Sequence, residues 1–84
     1  MTRLWPAGTP LQVIADDQDR PQQFRWQGHT HTVQTINKHW RVDVGWWRTR
    51  IWRACYKLNT DRGLLVVIYQ DLLSGTWYLE RVFD

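Results

Sequence analysis

The sequence predicts an all-β fold: about six antiparallel strands, mostly in meander order, forming a curled sheet or small open barrel. Three observations carry this. Apolar residues recur at a period of two in short runs, as in Trp40-Val42-Val44 and Trp52-Ala54-Tyr56-Leu58. Turn-forming residues separate those runs. No window of eleven or more residues places apolar side chains at helical spacing between caps, which leaves at most one helical turn at Gln34 to Trp40 or at Asp71 to Ser74.

Trp5 to Pro10 is rich in Pro and Gly, so residues 1–10 are expected to be an irregular lead-in. Leu11 to Ala15 reads as a short strand, and Asp16 to Asp19 as the turn after it. Phe24 and Trp26 alternate with polar neighbours, Gly28-His29 marks a hairpin tip, and Thr30 to Ile36 returns. In the next strand Trp40, Val42 and Val44 are expected inward, with Arg41 and Asp43 facing solvent. Gly45 to Thr49 interrupts it. Trp52, Ala54, Tyr56 and Leu58 then face the core, and Arg53, Cys55 and Lys57 face out. Asn59 to Gly63 is a hairpin loop. Leu64 to Tyr69 is apolar on both faces and is the candidate central strand. Ser74-Gly75 turns the chain into a last strand with Trp77, Leu79 and Phe83 inward.

With 84 residues the chain is one domain, residues 1–84, with a thin core. Seven Trp among twelve aromatic residues enlarge that core, since each large ring buries about 150–250 Å². Composition excludes a multi-domain enzyme, a collagen-like chain and a disulfide scaffold. Cys55 is the only cysteine and the first residues lack an apolar stretch typical of a signal peptide, so a cytoplasmic, bacterial-type protein is expected. The longest apolar run has six residues, Leu64 to Tyr69, against the roughly 20 of a spanning helix, so no membrane partner is expected.

The net charge of +3 is unevenly placed. Arg20 to Lys57 holds eight basic residues and one acid, Asp43, while the remainder is acidic. Arg25, Arg41, Arg53 and Lys57 occupy expected outward positions, where they form a basic sheet face if their strands are neighbours. Cross-strand pairing with Asp43, Asp71 or Glu80 would instead cancel that field. Trp46-Trp47-Arg48 is the most informative local feature. One ring of such a pair can plug the barrel end while the other stacks on a base beside Arg48 and Arg50.

Signals for catalysis are weak. Ser74 has no G-x-S-x-G frame, and no spacing brings His29, His31 or His39 to Cys55. His29 and His31 share a strand face about 7 Å apart but lack an evident third metal ligand. Asp16, Asp17 and Asp19 lack the Gly and distal Glu of a calcium loop. No enzyme activity, metal or cofactor is expected.

Residues 21–84 resemble a small bacterial domain of unknown function found alone and at the C-terminus of ImuB-type Y-family polymerase-like proteins. The resemblance rests on Trp40-Arg41-Val42-Asp43, Trp46-Trp47, Arg50, Tyr56, Tyr69-Gln70-Asp71-Leu72 and Gly75 to Asp84, with Pro21, Phe24, Trp26 and Gly28 in the opening strand. Gly45 and Trp52-Arg53 depart from that pattern. The resemblance implies an association with DNA-damage tolerance and no catalytic residues.

The expectation from these readings is a non-enzymatic binding module for single-stranded or duplex nucleic acid. Arg41, Arg48, Arg50, Arg53 and Lys57 would meet phosphates, and Trp46 or Trp47 would stack on a base. The alternative is a protein-interaction adaptor that docks a polymerase-like or damage-response partner. The chain is expected as a monomer or as a dimer paired through an exposed strand edge.

Overall fold

A computed structural model describes residues 2–45 and 50–83, with side chains described for 8–45 and 50–83. Six strands run in order: β1 Thr2–Ala15, β2 Pro21–Trp26, β3 His29–Gly45, β4 Arg50–Thr60, β5 Leu65–Asp71 and β6 Trp77–Phe83. Every neighbouring pair is antiparallel, and β6 returns to pair with β1, so the meander closes into a ring. No helix occurs among the described residues.

The ring is irregular because two long strands are shared. β1 pairs with β6 through Leu11 and with β2 from Gln12 on. β3 pairs with β2 up to Thr32 and with β4 from Val33 on. The expected irregular lead-in is therefore wrong: the chain is strand from Thr2, interrupted by a bulge between Leu4 and Thr9. Pro and Gly are tolerated there because the disruption falls within the bulge. Gln34 to Trp40 is likewise strand, not a helical turn.

Tight turns follow local chemistry. Gln27 and Gly28 both take positive φ, 51° and 76°, between the paired Trp26 and His29, as a two-residue hairpin requires. In the β1–β2 turn, Asp16 Oδ1 accepts the N–H groups of Gln18 and Arg20, and its Oδ2 accepts Arg20 Nε.

The core is the inner face: Leu11, Phe24, Ala54, Tyr56, Leu58, Val66, Ile68, Trp77, Leu79 and Val82. β5 pairs on both sides, as a central strand must. Two departures from strict alternation change which residues face inward. In β3 the ladder slips at Gln34 and Asn37, so Val33, Ile36 and His39 lie opposite the inward residues Thr60, Leu58 and Tyr56. Beyond these bulges the facing is inverted: Arg41 lies opposite Ala54, whereas Trp40 and Val42 lie opposite Cys55 and Arg53. In β6 the slip at Glu80 brings Val82 inward in place of Phe83.

Candidate nucleic-acid interface

The outer face of β3–β4–β5–β6 carries rows of side chains set by the ladder. One row runs Trp40, Cys55, Tyr69, Tyr78. The next runs Lys38, Lys57, Val67, Arg81 and so places three cations on one line across the sheet. Phe83 lies in the row beyond, and Arg53 on the other side of the aromatic row.

Each cation lies over a ring. Lys38 Nζ is 5.4 Å from the Trp40 centroid and Lys57 Nζ 5.0 Å from that of Phe83. The guanidinium of Arg81 is 5.6 Å from Phe83, and that of Arg53 is 4.3 Å from Tyr69. Such contacts contribute about 0.5–1 kcal/mol each at exposed sites, and they hold long flexible side chains against the sheet. Among the described residues no carboxylate lies within ion-pair distance of Lys38, Arg53, Lys57 or Arg81. Asp71, opposite Arg53, and Glu80, beside Arg81, are the acids of this face.

The residues singled out from sequence divide into three groups. Arg53 and Lys57 lie on this face. Arg41 and Arg50 do not: Arg41 lies opposite Ala54, and Arg50 donates from Nε and Nη2 to Asp43 at 3.3 and 3.2 Å while covering Trp52 at 4.7 Å. Both face the opposite side because the β3 bulges invert the alternation. Trp46, Trp47 and Arg48 lie outside the described residues, so the expected stacking pair has no structural account. Arg25 stands on β2 between Gln12 and Thr30, and β2 does not pair with β4.

Lys38, Trp40, Arg81 and Phe83 join the face although sequence reasoning did not select them. The surplus polar residues Gln34 and Asn37 in a strand-like run were the available signal. They allow apolar residues to recur at every third position, Val33 and Ile36, before His39.

Cys55 is buried, 2% exposed, although it lies on the outer face. Burial pushes its thiol up to about 11, helped by Glu80 and opposed by Arg53, so the nucleophilic thiolate is scarce at neutral pH. His39, the histidine nearest along the ladder, stacks on Tyr56 at 4.3 Å on the inner side. His31 stacks on Phe24 at 5.2 Å in the core, whereas His29 is exposed. Among the described residues no three His, Cys, Asp or Glu side chains gather to hold a metal, and no helix is long and apolar enough to cross a membrane.

The chain matches no family model, no curated protein and no solved structure.

Proposed function

We propose that this chain is a non-enzymatic binding module that takes nucleic acid, single strands in particular, on the outer β3–β6 face. Lys38, Arg53, Lys57 and Arg81 meet phosphates, while Trp40 and the guanidinium planes offer surfaces for bases. The observation that carries this reading is the line Lys38, Lys57 and Arg81, free of carboxylate partners among the described residues. The charge asymmetry of the sequence supports it. The resemblance to a domain attached to lesion-bypass-type polymerases places the activity, within this proposal, in cytoplasmic DNA-damage tolerance.

Fluorescence anisotropy with labelled single-stranded and duplex oligonucleotides at low salt tests it. Binding should weaken with salt and be lost in Lys38→Glu/Lys57→Glu, while Arg50→Gln binds like the parent. Absence of binding at tens of micromolar, or equal loss in Arg50→Gln, overturns it.

A second reading, an adaptor for a polymerase-like or damage-response protein, is favoured by Val44 and Ile51. They lie opposite each other and are 44% and 38% exposed. A nuclease-resistant protein partner lost on Val44→Asp would carry that reading.

A further inference from the structure

Beyond Thr32 one edge of β3 has no strand beside it. From Val33 to Gly45 the strand pairs with β4 alone, and among the described elements β3 touches only β2 and β4. The first part of this edge is broken by the bulges at Gln34 and Asn37, but Lys38 to Gly45 is regular. A regular row of backbone N–H and C=O groups without partners is a template for another strand.

We propose that this edge pairs with the same edge of a second copy, antiparallel about a two-fold axis through Val42. A two-fold axis perpendicular to the sheet keeps each face on its own side, so residues of opposite facing never meet. Few registers remain, and charge selects among them. Centring on Arg41 sets that cation against itself, and centring on Asp43 does the same for the carboxylate. Centring on Trp40 sets Arg41 against His39. Centring on Val42 places Arg41 of each copy opposite Asp43 of the other, twice, and places Trp40 opposite Val44.

That register satisfies two features of the isolated chain. Arg41 is exposed and has no ion pair among the described residues, and Val44 is 44% exposed. Asp43 already accepts two bonds from Arg50, and a carboxylate has room for more. Cross-strand charge pairs and apolar pairs act together in such a ladder. The two outer faces then lie on the same side of one continued sheet, which doubles the basic surface. The dimer does not depend on nucleic-acid binding, because Arg41 and Asp43 lie on the other side of β3.

Sedimentation equilibrium of the whole chain, at concentrations on the order of 100 μM, should show a reversible monomer–dimer equilibrium. Arg41→Asp should weaken it by about tenfold or more, and Arg41→Asp/Asp43→Arg should recover part of that loss. Val42→Cys tests the register directly. Its two copies stand roughly 4.5–5.5 Å apart between Cα atoms, within disulfide reach, whereas Val44→Cys puts them about 13 Å apart. Mild oxidation should link Val42→Cys into dimers and leave Val44→Cys monomeric, with the buried Cys55 unreactive in both. A chain that stays monomeric throughout this range, or Val44→Cys linking as fast as Val42→Cys, overturns the proposal. An unchanged dimer in Arg41→Asp does so too.

Discussion

Gly8 is held at φ +77°, a backbone region that costs a side-chain-bearing residue energy. A Cβ there would collide with the Tyr69 hydroxyl and stand 2.9 Å from Tyr78 Cβ. Tyr69 is 2% exposed and stacks on Tyr78 at 5.2 Å, so it cannot swing away freely. Gly8→Ala should therefore cost about 1–3 kcal/mol, seen as a lower thermal midpoint, whereas Gly45→Ala, with open space around its Cβ, should change little. His31 gives a second residue-scale expectation. Burial lowers its pKa, reinforced by Arg62 and His29 and opposed by Asp61. Above the ordinary imidazole pKa of 6.5 both folded and unfolded states hold it neutral, and it adds no pH dependence. As the pH falls through and below that value the unfolded chain takes the proton first, so folding stability drops. His31→Phe keeps the ring on Phe24 and removes the titration. Its thermal midpoint should fall less between pH 7.5 and pH 5 than that of the parent.

At the scale of the element, the bulges decide what the strands present. Period two made β4, β5 and the start of β6 legible, because Ala54, Tyr56, Leu58, Leu79 and Trp77 do face inward. Alternation cannot reveal where a strand gains a residue. Gln34 and Asn37 look like ordinary polar positions, yet each shifts all that follows by one face, which turned Trp40 outward and Arg41 inward. Glu80 acts alike on Val82 and Phe83. Arg53 and Lys57 were legible as site residues because β4 has no bulge, and Lys38 was not because its facing depends on Asn37. The surplus character of Asn37 is itself testable. Ile36 and Lys38 already stand opposite the consecutive residues Leu58 and Lys57, so deleting Asn37 removes a residue that pairs with none in the ladder, at the loss of its bond to Asn59. The deletion should fold, with stability within about 1 kcal/mol of the parent by chemical denaturation. It also lengthens the regular free edge, so it should self-associate more strongly. A variant that fails to fold would show that the bulge is needed for ring closure.

For the molecule as a whole, ring closure sorts charge. The inner face takes the rings and aliphatic groups a thin core needs. Arg50 is held by Asp43, and Arg20 by Asp16, at 3.2 Å each. The cations left without such partners, Lys38, Arg53, Lys57 and Arg81, are carried by three strands of one continuous sheet, so their fields add over a single surface. This arrangement makes a quantitative expectation. If all four meet phosphates of a single strand, the logarithm of the binding constant should fall with the logarithm of salt concentration with a slope of about −2.8. Replacing Lys38 and Lys57 by Gln should reduce that slope by about 1.4, because two phosphate contacts are lost while the fold keeps its apolar contacts. Arg50→Gln, on the other side, should leave the slope where it was. Lys38→Arg/Lys57→Arg should preserve it too, since a phosphate contact needs the charge and not the shape of the ammonium. A slope untouched by the Gln pair would mean that the strand does not cross this face, whatever the affinity.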